Sequence, residues 1–67
     1  MFVLRRNSGS EYLAKSGVST FLHCAKVFPS QAAAERARFR CDVPSNWVAV
    51  DLAAEDRRLR ALRAQNA

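Results

Sequence analysis

The chain has 67 residues and a formal net charge of +5, and it contains no apolar run near the roughly 18 residues that span a bilayer. This length allows one domain, residues 1–67, and a folded chain of this size hides only about 60% of its unfolded surface. One His and two Cys do not provide the ligand spacing of a zinc site, and we expect neither a metal nor a cofactor.

The start of the chain is typical of a β-hairpin. Residues 2–6, Phe-Val-Leu-Arg-Arg, are rich in strand-forming side chains. A turn cluster, Asn-Ser-Gly-Ser, occupies residues 7–10, and a second strand is predicted at 11–15. These two strands therefore form a hairpin with a four-residue loop.

The segment from 18 to 28 allows two interpretations. One is a turn or short helical segment at 20–25, followed by a short strand at 26–28. The other is a single strand from 18 to 24. Periodicity does not separate them over so few residues.

A helix is predicted over residues 31–40, with Ser30 as its N-cap. The segment is rich in Ala and straight-chain residues, which favour helix. Phe39 is predicted to be its one large apolar anchor. A stripe of small residues would lie close to a sheet, and it contains Ala33, Ala34, Ala37 and Cys41. The charged residues Glu35, Arg36, Arg38 and Arg40 would face solvent or a partner.

The last third of the chain predicts a strand and a second helix. Pro44 ends the first helix within a loop at 42–46. Residues 47–52 form the strongest predicted strand, with Val48 and Val50 on one face and Trp47 and Ala49 on the other.

The final helix is predicted at 52–65, capped by Asp51. Glu55 and Asp56 near its start complement the helix dipole, and Asp56 can pair with Arg60. The apolar stripe of this helix, Leu52, Leu59 and Leu62, is interrupted by Glu55, which argues against a coiled coil. The order β-β-(β)-α-β-α predicts a small α+β domain, an antiparallel sheet with two helices packed on one face.

The pattern of reactive residues argues against an enzyme. His23 and its neighbour Cys24 diverge on either a strand or a helix, so they do not form a nucleophile and base. The six acids are scattered, and the two glycines lie in turns rather than in a phosphate-binding loop. We therefore predict a non-enzymatic protein.

The first residues place apolar side chains before the charges, the reverse of a signal peptide. We expect a cytoplasmic protein, in the host cell cytoplasm if a phage encodes it. In that compartment Cys24 and Cys41 should be reduced, and we predict both as small buried apolar residues.

The positive charge is unevenly distributed. Residues 1–40 carry a net charge of +5, and residues 41–67 carry none. Attraction to an anionic partner therefore belongs to the first forty residues. The predicted contacts to a partner or to nucleic acid are Arg5, Arg6, Lys15, Lys26, Arg36, Arg38 and Arg40.

Binding of single-stranded nucleic acid would also require exposed aromatic side chains on the sheet. Tyr12 and Trp47 are the candidates, and the order of elements resembles a truncated RNA-recognition sheet. The competing interpretation places the aromatic side chains in the core and leaves the arginines merely solvated. We favour that interpretation, because the chain has few other large core residues.

Residues 12–39 carry a further pattern. Tyr12-Leu13-Ala14 is followed by Gly17, by Ser19-Thr20, by Ala25-Lys26-Val27-Phe28 and by Ser30 before an Ala-rich helix. This pattern resembles small phage and prophage proteins of unknown function, over about half of the chain. The resemblance implies a fold, and it transfers no functional residue.

The resemblance implies a host-takeover factor that binds and blocks a bacterial machine. Its most concrete form is an anti-CRISPR protein that evades host defence by stoichiometric inhibition. The basic character argues against imitation of nucleic acid. Such a protein would bind a bacterial host protein or a protein–RNA complex, and no membrane. The alternative is a basic module that binds RNA or DNA, and a homodimer is compatible with either function.

Overall fold

Four antiparallel strands form one sheet in the order β3-β2-β1-β4 in the computed structural model, which describes residues 1–66. The α+β fold class is therefore confirmed. The strands are β1 (Phe2–Arg6), β2 (Tyr12–Ala14), β3 (Gly17–Ser19) and β4 (Trp47–Asp51). The helices are α1 (Gln31–Phe39) and α2 (Leu52–Asn66), with 3₁₀ turns at Leu22–Cys24 and Pro44–Asn46.

The register of the sheet determines which side chains share a face. β1 pairs with β4 along its whole length, from Phe2 opposite Asp51 to Arg6 opposite Trp47. On its other side β1 meets β2, where Arg5 lies opposite Tyr12. Since side chains alternate along a strand, Leu4 shares one face with Trp47, while Arg5 shares the other face with Tyr12.

The two helices cover opposite faces of this sheet. Leu4, Phe28, Ala34 and Trp47 form a core cluster beneath α1. Val3, Tyr12 and Ala25 form a second cluster, against which Leu52 and Leu59 of α2 pack. The prediction of both helices on one face is wrong. Each face of β1 carries apolar side chains, so each face needs a cover.

α1 confirms the predicted cap and corrects the predicted anchor. The Ser30 hydroxyl accepts a hydrogen bond from the backbone N–H of Ala33 at 3.1 Å. Ala34 is fully buried, but the Phe39 side chain is 67% exposed. The small residues of α1 form the face that packs on the sheet. Phe39 follows Ala34 by five residues, so its side chain lies on the opposite, solvent-facing side of the helix.

The uncertain segment contains a short strand and a helical turn. Its helical part is the 3₁₀ turn at Leu22–Cys24, and the single strand from 18 to 24 is wrong. The strand predicted at 26–28 is reduced to one bridge, in which Phe28 pairs with Phe2. Gly17 opens β3 with a φ of 126°, a conformation that favours glycine.

β4 passes directly into α2. The Asp51 carboxylate accepts a hydrogen bond from the backbone N–H of Ala54 at 3.0 Å, so the predicted cap is confirmed. Asp56 and Arg60 form the predicted ion pair at 3.0 Å on the surface. Within residues 1–66, neither helix is long and apolar enough to cross a membrane.

Candidate functional site

A buried carboxylate lies between the sheet and α2. The Glu55 side chain is 2% exposed, and both of its oxygens accept hydrogen bonds. Oε1 accepts from Arg5 Nη1 at 2.9 Å and from Arg58 Nε at 2.8 Å. Oε2 accepts from the Tyr12 hydroxyl at 2.5 Å and from Arg58 Nη2 at 2.8 Å. We call these four residues the Glu55 cluster.

The fold brings the cluster together from three elements. Arg5 and Tyr12 are opposite each other in the register of β1 and β2, and both point towards α2. Arg58 lies three residues after Glu55, on the same side of the helix. The carboxylate therefore meets two guanidinium groups and one hydroxyl.

The charges of the cluster stabilise one another. Hydrogen bonds from Arg58, together with the Tyr12 hydroxyl and the Arg5 charge, lower the pKa of Glu55 to about 2 despite its burial. The hydrogen bonds to Glu55 raise the pKa of Arg58 in turn. Burial raises the pKa of the Tyr12 phenol, and the hydrogen bond to Glu55 adds to this effect.

The cluster is arranged for stability. Every Glu55 oxygen is already bonded to two donors from the same chain, so the carboxylate is not presented to a substrate. Sequence reasoning assigned Glu55 only to the helix dipole and missed this role. The available signal was its position, because a charge between Leu52 and Leu59 in an apolar stripe requires a buried partner.

Three of the seven predicted binding residues lie within ion-pair distance of acids of the same chain. Arg5 belongs to the Glu55 cluster. Arg6 lies 3.5 Å from Glu11 and stacks over the Trp47 ring. Arg38 binds Glu35 at 2.8 Å and donates to the carbonyl of Pro44 at 3.1 Å. These contacts reduce the charge that the three arginines offer to a partner.

The other four predicted residues are exposed and form no ion pair within residues 1–66. Lys15 and Lys26 come together in a shallow depression beside β3. Arg36 and Arg40 lie together at the end of α1. The structure thus divides the predicted binding residues into two separate exposed pairs, and their role in binding stays a prediction.

An exposed aromatic side chain accompanies the arginines of α1. Arg36, Phe39 and Arg40 are spaced by three and four residues, so they share the outer face of the helix end. The Arg38 guanidinium lies over the Phe39 ring, 4.6 Å from its centre. We call Arg36, Phe39 and Arg40 the α1 patch.

The aromatic side chains are divided between core and surface. The two stacking candidates are buried, Tyr12 beneath α2 and Trp47 beneath α1. Neither ring is therefore exposed on the sheet for base stacking, as it would be in an RNA-recognition sheet. The expectation that the aromatics fill the core is wrong for two of them. Phe21 is 61% exposed, and Phe39 projects from the α1 patch.

A second exposed feature is an apolar groove beside α2. Its walls contain Met1, Phe21, Leu22, Val27, Leu52 and Leu59, and we call it the α2 groove. Met1 is 64% exposed within it. Asp51 and Asp56 border the groove near the start of the helix, and Arg63 borders it farther along.

The two cysteines are free and differ in exposure. Both were predicted to be buried. Cys41 is half-buried, whereas Cys24 is exposed, so the prediction for Cys24 is wrong. Across residues 1–66, no three His, Cys, Asp or Glu side chains lie close enough to hold a metal ion. Comparison with protein-family models, curated proteins and solved structures gave no significant match.

Proposed function

We propose that this chain is a small binding protein of the phage type, which inhibits a bacterial host machine by stoichiometric association rather than by catalysis. An anti-CRISPR protein that blocks a CRISPR-Cas effector complex is the most concrete form of the proposal. Such a protein acts in the bacterial cytoplasm. The observation that carries the proposal is the α1 patch, where an exposed Phe39 lies between two arginines without acidic partners.

The composition of the α1 patch is that of a protein contact surface. Aromatic and Arg side chains are enriched among the residues that dominate binding energy, and acids are depleted. A large apolar ring exposed at 67% gains from burial against another molecule. Arg36 and Arg40 can then form hydrogen bonds with carboxylates of the partner.

The ion pairs within the chain leave an excess of positive charge. Among the acids of residues 1–66, Asp42 and Asp51 lack an ion pair. Six basic side chains of the same residues also lack one, namely Lys15, Lys26, Arg36, Arg40, Arg57 and Arg63. This imbalance favours an acidic protein surface as the partner.

A pull-down from bacterial lysate tests the proposal. The wild-type chain should retain a protein after nuclease treatment, and Arg36→Ala/Phe39→Ala should lose it. Because a hot-spot residue contributes about 2 kcal/mol or more, we expect the affinity for the purified partner to fall by about 30-fold or more. Calorimetric titration of that partner should give a one-to-one complex.

The matched control is Arg57→Ala/Val43→Ala. This variant also removes one exposed unpaired Arg and one exposed apolar side chain, but both lie outside the α1 patch. Its affinity should stay within a factor of two to three of wild type, about 0.5 kcal/mol. Equal loss in both variants would contradict a specific contact at the patch.

A plaque assay tests the anti-CRISPR form separately. The chain is expressed in bacteria whose CRISPR-Cas system targets a plated phage. Restored plaque formation, lost again with Arg36→Ala/Phe39→Ala, is the expected result. Protein capture without restored plaques would leave the inhibitor proposal in place and direct it to another host machine.

A second candidate function is binding of single-stranded nucleic acid. The observation that favours it is the Phe39 ring, which is exposed, stacked against Arg38 and flanked by Arg36 and Arg40. Bases stack on such rings without strong sequence preference, while arginines contact phosphates. The Lys15 and Lys26 depression is a further basic site.

Fluorescence anisotropy with a labelled single-stranded oligonucleotide distinguishes this candidate. If the α1 patch binds nucleic acid, Phe39→Ala should weaken affinity by about 1–3 kcal/mol without changing the salt dependence. Arg36→Ala should instead reduce the slope of log affinity against log salt by about 0.7, because one phosphate contact is lost. Arg57→Ala serves as the control with an unchanged slope. No binding at low salt would eliminate the candidate.

A further inference from the structure

The second half of α2 lacks the contacts that support its first half. Residues 52, 55 and 59 pack against the sheet, whereas the side chains of residues 60–65 are all exposed. Leu62 is 40% exposed among them. Two isolated helical turns are marginal in water, because most helical stability in proteins comes from packing. An apolar residue on an unsupported helix end points to a partner.

The α2 groove lies beside this helix end. Its apolar wall continues along α2 from Leu52 to Leu59, and Leu62 is one turn farther on. Phe21 and Met1 on the opposite wall are more than half exposed, so the groove is open to a side chain from outside. Exposed apolar area of this kind commonly marks a contact between macromolecules.

The charges along the groove have opposite signs at its two ends. Asp56 and Arg63 both border it, seven residues apart on α2, which is roughly 10 Å along the helix. Asp51 adds a second negative charge at the end that holds Asp56, whose carboxylate also binds Arg60 of the same helix at 3.0 Å. A partner surface of uniform charge would be repelled at one end of the groove. A second copy of the groove, placed in the opposite direction, brings unlike charges together at both ends.

We propose that the α2 groove is a two-fold interface between two copies of this chain. The α2 helices lie antiparallel, with the two-fold axis beside Leu59. Leu62 of each copy enters the groove of the other, between Phe21 and Leu59 of the partner subunit. Asp56 of each copy, which also binds Arg60 of its own helix, then faces Arg63 of the partner subunit, so the two-fold axis creates two such contacts.

This interface is separate from the α1 patch, which lies on the helix across the sheet. The dimer therefore presents two α1 patches and leaves both accessible to a partner. Its test does not depend on the identity of that partner, and failure of either proposal leaves the other standing.

Light scattering after size exclusion tests the dimer. At high micromolar concentration the mass should be about twice the 7.5 kDa of the single chain. Leu62→Glu places a charge in the partner's apolar groove. We therefore expect the dissociation constant of the dimer to rise by about a hundredfold or more. Phe21→Ser, at an exposed position on the opposite wall, should act in the same direction. Circular dichroism confirms that each variant remains folded.

Charge reversal identifies the orientation. Arg63→Glu should weaken the dimer at least about fivefold, because it replaces two attractions by two repulsions. Asp56→Lys should act in the same direction, and it also removes the pair with Arg60 of the same helix. The double variant Asp56→Lys/Arg63→Glu should recover most of the loss. Arg57→Glu makes the same charge change on α2 outside the groove and should have the smallest effect.

A monomer at high concentration, or a dimer unaffected by Leu62→Glu, would overturn the proposal. Single reversals that the double variant does not rescue would overturn it as well.

Discussion

Replacing Glu55 with alanine should leave most of the protein unfolded at room temperature. The variant leaves Arg5, Arg58 and the Tyr12 hydroxyl without their shared acceptor. Removing one partner from a buried ion pair costs about 3–5 kcal/mol. The core of a chain this small rarely supplies more than about 3–5 kcal/mol in total. Urea unfolding followed by circular dichroism, at one fixed protein concentration, measures the loss.

Glu35→Ala is the matched control for this prediction. Glu35 also lies on a helix and also binds an Arg three residues later, but its side chain is 35% exposed. We expect its loss to cost about 0.2–1 kcal/mol. Tyr12→Phe provides a milder change within the cluster, since it removes only the hydroxyl. It should fold and lose about 1–3 kcal/mol. Equal costs for Glu55→Ala and Glu35→Ala would show that the cluster is not central to stability.

Acid should destabilise the fold mainly by protonating Glu55. Its pKa in the folded chain is about 2, against an ordinary value of 4.5. The unfolded chain therefore takes up this proton first as the pH falls. The contribution is complete above about pH 5 and is lost progressively towards pH 2. Since tenfold in an equilibrium constant is about 1.4 kcal/mol, the loss is about 3 kcal/mol.

Two measurements check the acid prediction. Urea midpoints from pH 7 down to pH 2 give the loss of free energy. The carboxyl chemical shift of Glu55, followed by nuclear magnetic resonance, gives its pKa directly. A midpoint near 4.5 in the folded protein would contradict the effect of Arg58 and Arg5 on this carboxylate.

The Glu55 cluster also decides which basic residues remain for binding. A sequence count treats Arg5 and Arg36 alike, but the structure gives Arg5 a buried acid and leaves Arg36 exposed. Ion pairing with Glu35 removes Arg38 from the available charge of α1 and leaves Arg36 and Arg40, on either side of Phe39. The α1 patch and the α2 groove are therefore exposed surfaces of different character. The patch is basic and aromatic, whereas the groove is apolar and is bordered by both acidic and basic side chains.

Local patterns in the sequence were sufficient for most of the secondary structure. Ser30 and Asp51 predicted the starts of both helices, because a capping side chain acts on backbone groups within three residues. The alternation in Trp47–Asp51 predicted a strand with distinct faces, and the register confirms it. The fold class follows from these elements and their order.

Long-range pairing was decided only in the tertiary structure. Ala14 pairs with Ala25 and Phe2 with Phe28, and these bridges hold the segment that periodicity left open. The placement of α1 and α2 on opposite faces likewise depends on which strands become neighbours. No local preference encodes that choice, because it results from burying both faces of β1 together.

The sequence by itself determined most of the elements, the caps of both helices and the excess of basic residues, since each depends on neighbours along the chain or on simple composition. Only the tertiary structure decided which charges are used internally. Glu55 is separated by 50 residues from Arg5 and by 43 from Tyr12, yet their hydrogen bonds define the buried cluster. The sequence predicted Phe39 as the anchor of α1, and its exposure was decided only by the packing of the small residues of α1 against the sheet. Burial and pairing are properties of the packed chain, and they separate the arginines that stabilise the fold from those that are free to bind.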